Sequence, residues 1–346
     1  ADLVRTADGP ISRGRAYYWM GRTAEVVGDP ARARTNYQAA ARETDTFHGQ
    51  LAMQKLQPGR QALSFDPPAL PDKDRVERFT NHSAAKAIAL ARKANLGRSV
   101  TRVFLLNLPK IEKDEAWAAM AAHFARVTGD TQTVVRIGKA SIANGQNLVY
   151  YSYPVHALPK YTPLRPPPET AMLLGLARQE TEFNSDTVSS AGAAGILQVM
   201  KVTANHICRD YKIKCTHKRL LTDDSYNIMI ASAYVADRMA EWHGSYVLAL
   251  SSYNAGPGRT RQGIKEFGDP RTSAIDPIDW IERIPIEETR RYVAKVLSNI
   301  QINRAPLGDE ATALRLDEDL NRARTASNGN EPAGIVRKTS TADSRE

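Results

Sequence analysis

Apolar residues recur every three or four positions along most of the chain, which is the spacing of a helix with one buried face. In the C-terminal half this pattern predicts five helices, near residues 169–183, 200–209, 224–242, 245–254 and 287–303. Stretches that alternate apolar and polar residues, as strands do, are scarce. The pattern therefore predicts a mainly α protein.

One acidic residue interrupts the apolar face of the first of these helices. Leu173, Leu176 and Ala177 precede Glu180 by seven, four and three positions, so all four side chains lie on one face. Burial disfavours a charged carboxylate and raises its pKa, which prepares a carboxylic acid to donate a proton near neutral pH. Glu180 is therefore a candidate general acid.

Small and aromatic residues repeat with a different spacing near the N-terminus, in residues 13–57. They are Tyr17, Met20, Gly21 and Ala24, then Gly28, Asp29 and Pro30, then Ala33, Tyr37 and Ala40. The stretch resembles a tetratricopeptide repeat, in which small residues let two helices approach closely. Alanine-rich helical spacing continues through residues 84–94 and 118–125, which indicates an α-superhelix. Because stacked repeats need neighbours, we expect further repeats upstream in the native protein.

Six prolines in residues 154–168 impose extended backbone and exclude a helix there. We therefore expect a superhelical domain at 1–153, a proline-rich linker at 154–168 and a second helical domain at 169–305. Residues 306–346 have little apolar periodicity, and we expect them to be disordered or loosely docked.

Charge and composition limit the class of protein. The 346 residues carry a net charge of +9, which favours a polyanionic partner such as nucleic acid, anionic lipid or an acidic cell-wall polymer. The sequence contains no nucleic-acid-binding motif and no apolar run long enough to predict a transmembrane helix. The N-terminus lacks the pattern of a signal peptide, and we expect that one has been removed.

The two cysteines, Cys208 and Cys215, lie close enough in sequence to close a small disulfide in an oxidising compartment. The alternative is two free thiols on a helix and the loop after it. A zinc site is disfavoured, because only His206 and His217 flank the pair and the spacing fits no common pattern.

Four motifs of the second domain resemble one family. They are ARQETEF at 177–183, SSAGAAGILQVM at 189–200, SSYNAGPGR at 251–259 and ERIPIEETRRYV at 282–293. In this order they are similar to the catalytic domain of soluble lytic transglycosylases, which are related to goose-type lysozymes and cleave peptidoglycan. The match spans about 165–305, and large members of the family carry a helical superhelix before this domain. The sequence departs from the family at Thr181, where serine is usual.

The resemblance implies a reaction with a single carboxyl group. Glu180 would protonate the β-1,4 bond between N-acetylmuramic acid and N-acetylglucosamine, then accept the proton of the muramoyl 6-hydroxyl as that oxygen attacks C1. The product would be a 1,6-anhydro sugar. Most glycosidases need a second carboxyl group, which the substrate's own groups would replace here. The resemblance implies no metal or organic cofactor.

The resemblance also assigns roles to residues around Glu180. Tyr253 would be a second catalytic residue that bonds either the substrate's acetamido group or Glu180. Glycines 192 and 195 would permit close approach of the sugar chain. Substrate-binding roles fall to Ser189, Gln198, Met200, Asn254, Glu288 and Tyr292.

Three alternatives remain open at this point: a hydrolytic muramidase or chitinase of similar fold, a cell-wall-binding scaffold with a degenerate enzyme domain, and a nucleic-acid-binding protein. We favour the periplasmic lytic transglycosylase. Its partners would be peptidoglycan glycan strands and, through the helical repeats, proteins of cell-wall synthesis or remodelling.

Overall fold

The computed structural model describes residues 9–59, 61–63, 67–69, 71–308 and 313–324. This part of the chain is mainly helical, so the predicted fold class is confirmed. Nine helices precede the proline-rich segment: α1 Pro10–Val26, α2 Pro30–Ala40, α3 Phe47–Leu56, α4 Lys73–Asn81, α5 Ser83–Lys93, α6 Gly97–Ile111, α7 Glu115–Val127, α8 Thr131–Ala143 and α9 Val149–Ser152.

The second half contains the remaining helices of the described residues. They are α10 Thr170–Glu180, α11 Lys201–Asp210, α12 Arg219–Thr222, α13 Asp224–Glu241, α14 Tyr246–Ala255, α15 Pro257–Phe267, α16 Pro277–Arg283, α17 Glu287–Leu307 and α18 Leu316–Leu320. Two short strands, β1 Gln61–Ala62 and β2 Ala313–Leu314, pair antiparallel. None of the described helices is long and apolar enough to cross a bilayer.

Local chemistry fixes many of the helix starts. Aspartate side chains accept a hydrogen bond from the first turn of α2, α4, α7, α8, α13 and α16. A proline occupies the beginning of α1, α2, α15 and α16, where its missing N–H costs nothing. In the sequence, these aspartates and prolines stand just before, or at, the first residue of each stretch with helical periodicity.

The first helical pair packs as closely as its small residues suggest. A Cβ atom on Gly21 of α1 would lie 2.5 Å from the Tyr37 ring of α2, so only glycine fits there. Tyr18 is fully buried beside this contact, its ring centroid 5.8 Å from that of Tyr37. The assignment of the pair to the tetratricopeptide class stays a prediction.

The hydrophobic cores divide the chain differently from the predicted boundary at residue 153. Tyr18, Tyr37 and Leu51 of α1–α3 share one core with helices α10–α17. Helices α4 to α9 form a separate core, which includes Ile88, Leu105 and Trp117. The first three helices are thus packed on the second domain, because their apolar side chains face it. Residues 1–8 of the predicted first domain lie outside the described residues.

The proline-rich segment has no helix, as predicted, yet it is fastened to the second domain. The Tyr161 hydroxyl lies 3.0 Å from Ser232 Oγ on α13. Arg165 forms an ion pair with Asp237 on the same helix. The segment is therefore packed against α13. It resembles a linker only in that its backbone forms no helix.

The tail prediction is wrong for residues 313–320. Strand β2 pairs with β1, and Leu316 is fully buried in α18. Asp319 is fully buried as well and forms an ion pair of 2.6 Å with Arg304 of α17, which is 1% exposed. Two charged residues that are buried as an ion pair leave no periodic apolar signal, so the sequence did not indicate this docking. Residues 309–312 and 325–346 of the predicted tail lie outside the described residues.

Candidate active site

Glu180 is the last residue of α10, and the chain turns sharply behind it. Glu182 and Phe183 both have positive φ angles, of 53° and 65°, a conformation that residues other than glycine seldom adopt. The Thr181 hydroxyl donates to the Ile196 carbonyl at 2.9 Å and accepts from the Asn184 amide at 3.1 Å. The side-chain oxygen of residue 181 therefore fastens the turn, which is why threonine can stand where the family usually has serine.

The surroundings of Glu180 keep its carboxyl group protonated near neutral pH. Burial raises its pKa from 4.5 to about 7, and the negative charge of Glu288 acts in the same direction. The Tyr292 hydroxyl donates a hydrogen bond of 2.5 Å to Glu180 Oε1, which favours the charged form and opposes the rise. The predicted elevation of the Glu180 pKa is confirmed. A carboxyl group with a pKa of about 7 can both give and take a proton at neutral pH.

The partner of Glu180 is therefore Tyr292 rather than Tyr253. The Tyr253 hydroxyl donates to the Leu197 carbonyl at 2.7 Å. Of the two partners predicted for Tyr253, Glu180 is thus not the one it bonds in this structure, and a bond to the substrate's acetamido group stays a prediction. Burial raises the pKa of Tyr253 well above its usual value, and the charge of Glu180 adds to this, so the tyrosine is electrostatically coupled to the acid. Tyr292 thus bonds the carboxyl group of Glu180, whereas Tyr253 bonds the backbone of the glycine-rich segment.

The glycine-rich segment is held together by its own polar groups. Ser189 Oγ accepts from the Ala193 amide at 3.0 Å. Gln198, at φ 48°, donates from Nε2 to the carbonyls of Thr187 and Gly195. These contacts build the loop, and the substrate-binding roles predicted for Ser189 and Gln198 stay predictions.

The two glycines of this segment differ in their surroundings. A Cβ on Gly195 would lie 2.1 Å from the Leu220 carbonyl oxygen and 2.4 Å from Asn227 Nδ2, so this glycine is required by packing inside the protein. Gly192 has φ 84° and nothing within 4 Å of a Cβ position. Only Gly192 has the open surface that a sugar chain could approach.

The other predicted site residues lie on α11, α14 and α17. Asn254 Oδ1 accepts from the Thr289 hydroxyl at 2.6 Å, which joins α14 to α17. Glu288 is exposed at the start of α17. Met200 is half-buried and immediately precedes α11. Their roles toward a substrate stay predictions.

The cysteines are free thiols, so the structure does not contain the disulfide considered from the sequence. Cys208 is buried on α11, 3.6 Å from the Tyr226 hydroxyl, and Cys215 is half-buried in the loop after it. Among the described residues, no group of three or more His, Cys, Asp or Glu side chains is arranged to hold a metal ion.

Glu180 opens onto a cavity of about 870 Å³ that the sequence did not reveal. The cavity lies between the second domain and the N-terminal helices. Its walls include Asp45, two residues before α3, His48 at the start of α3, and Arg136 and Lys139 from α8. Of the predicted site residues only Glu180 lines it. The only sequence signal on α8 is a pair of basic residues three positions apart, which is also common on solvated helix faces.

A known family model matches part of the chain. Residues 164–275 match the family model described as the transglycosylase SLT domain. This segment is an SLT domain. The resemblance to soluble lytic transglycosylases that the four motifs indicate is thereby confirmed.

Relatives of known name or structure agree with this result. The soluble lytic murein transglycosylase of Escherichia coli strain K12 is 32% identical over 146 residues, which are 42% of this chain and 22% of that protein. An inactive mutant of the lytic transglycosylase Slt from Pseudomonas aeruginosa is 25% identical with a TM-score of 0.66, over 87% of this chain and 48% of that one. The 70 kDa soluble lytic transglycosylase of E. coli, 24% identical with a TM-score of 0.66, has the same fold over 89% of this chain and 48% of its own. The chain spans about a fifth of the length of the curated relative and about half of the solved chains.

Proposed function

We propose that the protein is a lytic transglycosylase that cleaves the β-1,4 bond between N-acetylmuramic acid and N-acetylglucosamine in peptidoglycan and leaves a 1,6-anhydromuramoyl end. The observation that carries this proposal is the partly buried Glu180, with a pKa of about 7 and a tyrosine hydroxyl donating to one of its oxygens. The SLT domain that contains this residue supports the choice of substrate.

Glu180 first acts as the acid. Its proton passes to the glycosidic oxygen as the bond from that oxygen to C1 breaks, and the leaving sugar departs with a 4-hydroxyl group. Glu180 is then a carboxylate, which the Tyr292 hydroxyl stabilises through its 2.5 Å hydrogen bond.

Glu180 next acts as the base. The muramoyl 6-hydroxyl oxygen forms a bond to C1, and its proton passes to the carboxylate, so the enzyme returns to its initial state. No water is consumed. The 2-acetamido group of the substrate would stabilise the charge at C1 between the two steps and so replace the second carboxylate of most glycosidases.

Two further parts of the proposal follow from the substrate. The site of action would be the periplasm, where peptidoglycan lies, and the basic protein suits an acidic polymer. The helices before the SLT domain would hold the glycan strand and offer surfaces to other proteins of cell-wall synthesis or remodelling.

The test is Glu180→Gln, which removes the titratable proton and keeps the size of the side chain. Mass spectrometry of muropeptides released from purified peptidoglycan should show anhydro products with the unaltered protein and their loss with the variant. Glu266→Gln, at an exposed position of α15 outside the cavity, is the matched control and should release them normally. Equal release by both variants would refute the role of Glu180.

A further inference from the structure

Three side chains of α8 hold the two residues that follow the candidate acid. Gln132 donates from Nε2 to the Thr181 carbonyl at 3.3 Å. Arg136 and Lys139 donate to the Glu182 carboxylate, at 2.7 and 2.5 Å. We call Gln132, Arg136 and Lys139 the α8 clamp. It belongs to a helix that precedes the SLT domain, yet it is bonded to the turn directly behind the acid.

The members of the clamp lie on one face of α8. Arg136 and Lys139 follow Gln132 by four and seven positions, which is helical spacing. Val135 lies on the same face and is fully buried in the core shared with α10–α17. Ile137 points away from this face, into the separate core of α4–α9. Helix α8 therefore joins the two cores, with the clamp on the side of the SLT domain.

The beginning of α8 is itself fixed to the preceding helices. Asp130, 4% exposed, accepts from Arg102 of α6 through both carboxylate oxygens, each at 2.8 Å. It also accepts from the Thr133 hydroxyl at 2.8 Å. A carboxylate that is bonded twice by one guanidinium group has a defined orientation. The clamp thus extends from a helix whose position is set independently of the SLT domain.

The turn behind the acid needs such support. Glu182 and Phe183 both have positive φ, a strained conformation that persists only where surrounding contacts hold it. Burial alone would raise the pKa of Glu182, but the hydrogen bonds and charges of Arg136 and Lys139 lower it below its usual value. Glu182 is therefore ionised at neutral pH, and both ion pairs are present in the range where the acid titrates.

The position of this turn matters because Glu180 is bonded to a different helix. Its carboxyl group accepts from Tyr292 of α17 at 2.5 Å. Hydrogen bonds weaken steeply outside a narrow range of distance and angle, so a small displacement of the turn would weaken this one.

We propose that the α8 clamp positions the acid: by holding the turn, it keeps the Glu180 carboxyl group within reach of the Tyr292 hydroxyl. Gln132, Arg136 and Lys139 are then positioning residues of the reaction. The inference rests on the proposed function, because it concerns the acid of that reaction. The helices before the SLT domain would thereby contribute to catalysis through the geometry of the acid, whatever else they bind.

The test measures the pKa of Glu180 without any substrate. Glutamate is labelled with carbon-13 at the side-chain carboxyl group and titrated by NMR, and the Glu180 signal is identified by its absence in Glu180→Gln. The clamp variant combines Arg136→Gln with Lys139→Gln, and a conservative variant combines Arg136→Lys with Lys139→Arg. The control combines Lys86→Gln with Lys93→Gln, which removes the same charge at exposed positions of α5 outside the cavity.

We expect the clamp variant to raise the pKa of Glu180 by about half a pH unit or more, because a weakened bond from Tyr292 stabilises the carboxylate less. The conservative variant should lie close to the unaltered protein, and the control should match it. When Tyr292→Phe is present, the clamp variant should add little to the rise, since no hydroxyl remains to be positioned.

An unchanged pKa in the clamp variant overturns the inference, as does an equal rise in the control. An equal rise with and without Tyr292→Phe also overturns it, because the two cations would then act on Glu180 by charge alone. Failure of the proposed function is seen separately, as absence of anhydro products from the unaltered protein, and does not alter how these pKa values are read.

Discussion

Replacing Tyr292 by phenylalanine tests the electrostatic account of Glu180 most sharply. The hydroxyl of Tyr292 donates to Glu180 Oε1 at 2.5 Å and favours the ionised carboxylate. Tyr292 is itself 3% exposed, so phenylalanine fills the same space and removes only the donor. The variant therefore isolates one hydrogen bond.

The sign of the effect follows from which form of Glu180 the bond stabilises. A hydrogen bond to a charged group contributes about 1.5–3 kcal/mol, which changes an ionisation constant about tenfold or more. Without the bond the carboxylate is less stable, so the pKa of Glu180 rises above its value of about 7. Because the first step needs the protonated acid, activity should persist to higher pH, and the alkaline midpoint of the pH profile should rise by at least about one pH unit. The maximal rate should fall, since the carboxylate formed in that step loses its donor.

The assay is the release of anhydro-muropeptides, measured as kcat/KM across pH. Tyr161→Phe is the control, because the Tyr161 hydroxyl bonds Ser232 and not the acid, and its profile should match that of the unaltered protein. If the alkaline midpoint of Tyr292→Phe stays in place or moves to lower pH, Tyr292 does not stabilise the charged form of Glu180.

Three further predictions concern stability, each measured by urea unfolding. Because burial raises the pKa of Glu180 from 4.5 to about 7, its contribution to stability is complete below pH 4.5 and is lost as the pH rises through about 7. Glu180→Gln should therefore be as stable as the unaltered protein at about pH 4 and up to about 3 kcal/mol more stable at about pH 8. Equal stability of the two proteins at about pH 8 would contradict the burial effect. Gly195→Ala should lower the free energy of unfolding by at least about 3 kcal/mol, because the new Cβ collides with the Leu220 carbonyl. Gly192→Ala should lower it by only about 1 kcal/mol, through backbone strain alone. Equal losses would refute the packing role of Gly195. Asp319→Ala should cost about 3–5 kcal/mol because Arg304 stays buried with one partner removed, and a cost below about 1 kcal/mol would mean that the tail is loosely docked after all.

Helical spacing was sufficient to predict the burial of Glu180 and the upward direction of its pKa shift. Glu180 shares a face with three apolar residues of its own helix, so its burial is a local property that the sequence records. The positions where helices begin also follow from nearby residues, because a capping side chain bonds the first turn of its own helix. The mainly α class follows from the same information.

Contacts between distant segments could not be predicted in this way. Tyr292 and Glu180 are 112 residues apart, and their bond depends on the packing of α17 against α10. The cavity beside Glu180 is lined by residues of helices α1, α3 and α8 together with residues of the second domain, a combination that no single motif encodes. The docked segment at 313–320 pairs with strand β1, about 250 residues earlier in the chain, and is held by the ion pair of Arg304 and Asp319, two charged residues that composition alone assigns to solvent.

Digestion of peptidoglycan in water enriched in oxygen-18 tests the central claim, that one carboxyl group transfers the proton and the substrate's own hydroxyl closes the ring. Mass spectrometry should find anhydro-muropeptides without the heavy isotope, because no water enters the product. Muropeptides with a free reducing end that carries one oxygen-18 atom would show hydrolysis and contradict the account.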